Sequence, residues 1–231
     1  MATFSVILVT APPFGTGFDP AASSLKVDGR EALLRSVEMF LNRDEIKQVQ
    51  LVVPADQIED IRLKHGAHLG FSGVVLSGAP ARFGEQLKVA ADKLHADCTH
   101  VLVHDAARCC VPYTDIDALL ATAEGKTAIA CLSQRIKGDM VELDEGGNPL
   151  GVMQGTYVQL ALPMLLTRAK FSELATAKRA PHASELTLIS GSNLNIRFNG
   201  AQDGLFVKAM LAMLPKAKTK AASSPFEEAQ W

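Results

Sequence analysis

The chain has 231 residues, 48% of them hydrophobic and 21% charged, with a net charge of −2 and a pI near 6.3. That composition suits one globular domain with a developed core. It argues against a binder of nucleic acid or of an anionic membrane surface, and no apolar run approaches the roughly 20 residues that a bilayer-spanning helix needs.

The predicted elements alternate. Phe4 to Thr10 reads as a buried strand, and residues 11–28, rich in Gly, Pro and Ser, as a long loop. Glu31 to Asn42 reads as a helix, with Leu33, Leu34, Val37, Phe40 and Leu41 on one face. A strand at Val49 to Val53, a helix over Ala55 to Leu69 and a short strand at Val74 to Leu76 follow. A helix from Glu85 to His95 turns Leu87, Ala90, Ala91 and Leu94 inward. Val101 to Val103 is a strand, Asp115 to Ala123 a helix, and Ala128 to Leu132 a strand. This alternation predicts a three-layer α/β/α fold of Rossmann-like type, with a mostly parallel sheet. The pattern then breaks into a hairpin, Met140 to Leu143 and Leu150 to Met153, turning through Gly146 and Gly147. A helix over Arg168 to Arg179, a strand at Leu188 to Ile189 and a helix over Gln202 to Leu214 close the expected domain, 1–214, whose arm spans 138–156. Residues 215–231 read as a flexible polar tail.

Cys98, Cys109, Cys110 and Cys131 match neither a zinc-site spacing nor a secreted disulfide framework, so reduced thiols are expected. The start MATFSVILVTAPP lacks a basic leader before its apolar run, and cytoplasmic residence is the expectation. His65 and His68, and His100 and His104, have spacings compatible with metal binding but no third ligand nearby, and read as ordinary surface or strand histidines.

The chemistry concentrates in VLVHDAARCCV, residues 101–111. An apolar strand ends in Asp105, followed by two alanines and Arg108. In open α/β sheets ligands bind at the carboxyl edge of the strands. Ala106 and Ala107 let backbone approach a ligand. Asp105 suits a hydroxyl or a divalent cation, and the Arg108 fork suits a phosphate. A strand-end Asp capping its own turn, beside a surface Arg, is the competing reading of the same residues.

The segment VHDAARxxV resembles the signature of the 2-C-methyl-D-erythritol 4-phosphate cytidylyltransferases, which the related ribitol-phosphate cytidylyltransferases share. GAPARF at Gly78 to Phe83 resembles that family's G-G-x-x-R, and GSNLNIRFNGAQD at Gly191 to Asp203 its G-S-x-x-N-I-K-x-T-x-P-x-D. The resemblance implies a nucleotide-diphospho-sugar transferase-like fold and a homodimer joined through the 138–156 hairpin. It implies Mg2+-dependent cytidylyl transfer from CTP to a small polyol phosphate, with release of pyrophosphate. Asp105, Arg108 and Arg197 are the implied catalytic residues, and Asp105 the implied metal ligand. Thr10, Ala11, Gly15, Gly17, Lys26, Gly78, Arg82, Glu85 and Ala106 would line the nucleotide, and Asn195 completes the retained set.

Departures from the family pattern cluster at the triphosphate end. The loop's arginine falls on Gly15 and its lysine on Ala22, and Pro13 removes a backbone donor. The polar pair after the G-G-x-x-R arginine is replaced by Gly84 and Glu85. The final lysine has become Arg197, which keeps the charge and changes the phosphate geometry. Three functions therefore compete: the family's transfer, a degenerate relative that binds a nucleotide, a polyol phosphate or only a protein partner, and a nucleotidyltransferase for another substrate in which Lys26 or Arg30 replaces the lost lysine. The loop from Ala11 to Asp28 discriminates between them.

Overall fold

The structure, a computed structural model, describes residues 2–14, 19–41 and 43–215. Gly15, Gly17 and all of the tail except Pro215 lie outside the described residues. In chain order the elements are β1 (Phe4–Val9), β2 (Lys26–Val27), β3 (Arg30–Glu31), α1 (Ala32–Leu41), β4 (Ile46–Pro54), α2 (Ile58–Phe71), β5 (Val75–Ala79), α3 (Phe83–Ala91) and β6 (His100–Asp105). There follow α4 (Tyr113–Ala121), β7 (Ile129–Arg135), β8 (Val141–Leu143), β9 (Pro149–Val152), β10 (Val158–Thr167), α5 (Arg168–Ala177), β11 (Thr187–Ser190) and α6 (Gly204–Met213).

The main sheet has seven strands in the order β11-β7-β10-β6-β1-β4-β5. All neighbours are parallel except those of β10, which runs antiparallel to both β6 and β7. Alternation along the strands divides the core in two. Val6, Leu8, Leu51, Val53 and Leu102 pack under α1, α2 and α4. Ile7, Val9, Val52, Val101 and Val103 pack under α3 and α5. These are the expected three layers.

Two elements correct the sequence reading. Strand β10 was not expected at all. Its middle is buried on both faces, so it lacks the period-2 signal of a half-buried strand. It also contains Pro163, which argues against a central strand. The structure accommodates Pro163 where the pairing of β10 with β7 shifts register, between Ala161 and Met164. Second, the end of the supposed long loop is the hairpin β2–β3, which turns on Asp28 (φ 52°) and Gly29 (φ 75°). Asp-Gly is a favoured pair for such a two-residue turn.

Gly84, in the first turn of α3, meets the backbone of Lys178 just beyond α5. A Cβ there would lie 1.9 Å from the Lys178 carbonyl oxygen. Only glycine allows the helices to approach that closely, and the contact fixes the start of α3 beneath the carboxyl edge of β1.

A third cluster lies beyond that edge. Ala22, Val27, Ala107, Cys109, Cys110, Phe198 and Val207 form a small core joining β2, the segment after β6, and α6. Lys208 of α6 pairs with Asp28 at 2.7 Å, tying helix to hairpin. All four cysteines are free and buried.

The arm β8–β9 projects from the sheet and every residue in its strands is exposed. It continues β7 and β10, whose ends are paired at Arg135 and Val158. Among the described residues no helix is long and apolar enough to cross a membrane.

Candidate nucleotide and phosphate site

Strand β1 is flanked by β4 and β6, and the chain passes from β1 to β4 on one side before returning to β6 on the other. That makes the carboxyl ends of β1 and β6 a topological switch point, the usual place for a ligand crevice. Val9 and Asp105 are in register there, and the Ala106 N–H donates to the Val9 carbonyl at 2.8 Å.

Asp105 is fully buried. Its Oδ1 accepts the Ala107 N–H at 2.9 Å, and its Oδ2 accepts the Arg197 Nε–H at 2.8 Å. Arg108 lies 4.0 Å from the same Oδ2. The Arg108 Nη1 donates to the Asn195 carbonyl at 3.0 Å. Burial pulls the Arg108 guanidinium below its ordinary range, and Asp105 offsets part of that pull. The edge thus holds one carboxylate against two guanidinium groups, an arrangement with a local excess of positive charge suited to a phosphate.

The Asn195 loop is held from several sides. The Asn195 Nδ2 donates to the Leu162 carbonyl at 2.8 Å, and the Gln134 Nε2 donates to the Asn195 carbonyl at 2.9 Å. Asp115 accepts the Ser192 N–H at 2.7 Å, and the Phe198 N–H donates to the Ala107 carbonyl at 2.9 Å. Beneath Arg108, the buried His104 donates from Nε2 to the Arg108 carbonyl at 2.8 Å and packs edge-on against Phe40.

Asp105, Arg108, Arg197 and Asn195 therefore come together, with Thr10, Ala11 and Ala106 beside them. Ala106 is fully buried and its carbonyl accepts the Ser36 hydroxyl at 2.9 Å, so its backbone groups face inward. Gly78 lies on β5, and Arg82 and Glu85 lie at the start of α3, the helix that carries Gln86. Gly78 has a packing role, since a Cβ there would sit 3.2 Å from the Ala55 Cα. Arg82 is exposed, and its side chain makes no hydrogen bond or ion pair among the described residues. Glu85 pairs with Lys178 at 3.1 Å. Lys26 is exposed on the hairpin, and Arg30 is paired with Glu38. Ala22, the position of the lost lysine, is fully buried in the small apolar core.

Sequence reasoning missed Gln86. It is fully buried at the start of α3, where its Oε1 accepts the N–H groups of Thr10 at 3.0 Å and Ala11 at 3.1 Å. Its Nε2 donates to the Thr10 hydroxyl at 2.8 Å. The available signal was a polar residue on the inward stripe of a helix, four residues before Ala90.

The residues at this edge do not fit a resident Mg2+. Asp105 is sealed with both oxygens engaged, and among the described residues no group of three His, Cys, Asp or Glu side chains is placed to hold a metal ion.

A family model, IspD: 2-C-methyl-D-erythritol 4-phosphate cytidylyltransferase, matches residues 7–156. The chain belongs to this family. The 2-C-methyl-D-erythritol 4-phosphate cytidylyltransferase of Rhodopirellula baltica is 27% identical over 224 residues, covering 85% of this chain and 90% of the relative. That of Aeromonas hydrophila is 31% identical over 149 residues, 60% of this chain and 54% of the relative. The 4-diphosphocytidyl-2C-methyl-D-erythritol synthase of Anaerococcus prevotii superposes with a TM-score of 0.69 at 16% identity, covering 91% of this chain and 96% of that one. A CMP:2-keto-3-deoxy-manno-octonic acid synthetase complexed with CTP superposes at 0.62 and 10% identity, covering 92% and 98%. These structural likenesses establish the nucleotidyltransferase fold, and the match to the family model establishes membership.

Proposed function

We propose that the chain binds CTP and a small polyol phosphate at the β1–β6 edge and transfers the cytidylyl group slowly. The nearest reaction is that of the family. An oxygen of 2-C-methyl-D-erythritol 4-phosphate attacks the α-phosphate of CTP, the bond to the β-phosphate breaks, and pyrophosphate leaves. The observation that carries this reading is the buried Asp105–Arg197–Arg108 cluster, held at the switch point by Asn195. Mg2+ would arrive with the nucleotide and would neutralise part of its phosphate charge. Four free, buried thiols suit residence in the reducing cytoplasm.

Slow transfer follows from charge. The departing pyrophosphate must be neutralised as the bond breaks, and positioning and electrostatics supply nearly all of the catalysis in such reactions. Ala22 carries no cation and faces an apolar core. The test is pyrophosphate release with saturating CTP, Mg2+ and acceptor. The expected turnover is well below about 1 s⁻¹, the low end of ordinary enzymes. A rate above that, abolished by Lys26→Ala, would give the lost lysine's work to Lys26 and end the slow-enzyme reading. Calorimetry showing that neither CTP nor the polyol phosphate binds would end the reading as a whole.

The same proposal includes a homodimer joined through the arm. Val141, Leu143, Leu150 and Val152 are between 46% and 63% exposed on a two-stranded ribbon, which is marginal in water unless it packs on something. Sedimentation is expected to show a dimer at micromolar concentration, and a monomer once residues 139–154 are replaced by a short turn. A wild-type monomer would remove the dimer from the proposal.

A further inference from the structure

The exit of β1 offers the crevice no backbone donors over four consecutive residues. Thr10 and Ala11 both give their N–H groups to the Gln86 Oε1. Pro12 and Pro13 have none to give. In open α/β folds a run of free N–H groups after a strand is what cradles a di- or triphosphate. Here the two N–H donors of residues 10–13 are consumed by a side chain that is itself fully buried. The exchange is reciprocal, because the Gln86 Nε2 returns a hydrogen bond to the Thr10 hydroxyl. Arg108 and Arg197 sit together at the Asp105 end.

We infer that Gln86 is a specificity-determining residue, which withholds the Thr10 and Ala11 amides from phosphate and removes the site's preference for a triphosphate over a ligand with a single phosphate group. The inference rests on the proposed reading of the β1–β6 edge as a nucleotide and phosphate site. Gln86 touches no ligand and acts through the backbone it holds.

The experiment is calorimetric titration of the full chain with CTP, CMP and 2-C-methyl-D-erythritol 4-phosphate, each with and without Mg2+. The wild type is expected to bind CTP no more than about threefold more tightly than CMP. Gln86→Met fills similar space without accepting a hydrogen bond, and should raise the preference for CTP at least tenfold while leaving polyol phosphate affinity unchanged. Gln86→Glu keeps the accepting oxygens and should restore the wild-type ratio, which a merely structural loss at this position would not do. A folded Gln86→Met with an unchanged ratio overturns the inference, as does a wild type that prefers CTP by more than about threefold. Should Gln86→Met not fold, the amide resonances of the wild type decide. Those of Thr10 and Ala11 should remain slow to exchange and unmoved by CTP, and a shift on adding CTP overturns the inference. A protein that binds the polyol phosphate but fails these tests leaves the site reading intact, whereas failure to bind all three ligands removes both.

Discussion

Asp105→Ala is expected to cost the fold about 3–5 kcal/mol, the usual penalty for removing one partner of a buried ion pair. Arg197 and Arg108 each keep only about a tenth of their side-chain surface exposed, and Asp105 is the carboxylate that faces both. Its removal leaves two desolvated guanidinium groups side by side and also frees the Ala107 N–H. Urea denaturation at pH 7 measures the loss. Asp105→Asn should cost less, because its side-chain oxygen still accepts from Ala107. Adding Arg197→Met to Asp105→Ala should return part of the stability, since one of the two adjacent like charges is gone. A loss below about 1 kcal/mol for Asp105→Ala would mean that the carboxylate is not compensating these cations.

Stability should also fall by about 5 kcal/mol between pH 6.5 and pH 3 through His104 alone. Burial pulls this imidazole from 6.5 down to about 3, with the hydrogen bond to the Arg108 carbonyl opposing the shift. The native state therefore holds His104 neutral across a range in which the unfolded chain takes up a proton. Where the unfolded state binds more protons, stability rises with pH. The contribution is complete above pH 6.5 and is lost progressively as pH falls towards 3, at about 1.4 kcal/mol per pH unit. His104→Gln keeps a donor for the Arg108 carbonyl and does not titrate. Its unfolding free energy should be flatter than the wild type's over that window by this amount. Parallel curves for the two proteins would show that His104 takes up its proton in the folded state.

The layers were legible in the sequence because most strands and helices carry their own periodicity. Leu33, Leu34, Val37 and Phe40 all reach the core as the spacing of α1 implies. Strand β10 was illegible for a physical reason: a strand buried on both faces has no alternation to read, and Pro163 argued against it. The Asp28-Gly29 turn was legible in principle and was hidden by the Gly- and Pro-rich composition around it. At the site, the strand-end position of Asp105 was legible in the motif, and its pairing with Arg197 was not. Gln134 and Gln86 did not, since neither belongs to a motif and each acts by holding the backbone of a distant segment. Gly78, which the resemblance places at the nucleotide, also has a steric reason to be glycine.

The placement of β10 also governs the order in which the molecule can be completed on the ribosome. β5, β4, β1 and β6 all lie within the first 105 residues and can form a parallel block as soon as they emerge. That block ends on β6, whose outer edge stays without its neighbour until residues 158–167 have been synthesised, and β7 waits for the same strand. A nascent chain stalled anywhere between Ala106 and Tyr157 thus presents an open edge built from Val101, Leu102 and Val103, the kind of surface that recruits other strands. Synthesis from Ala106 through the arm is the interval in which this edge stays open, and the insertion of β10 ends it.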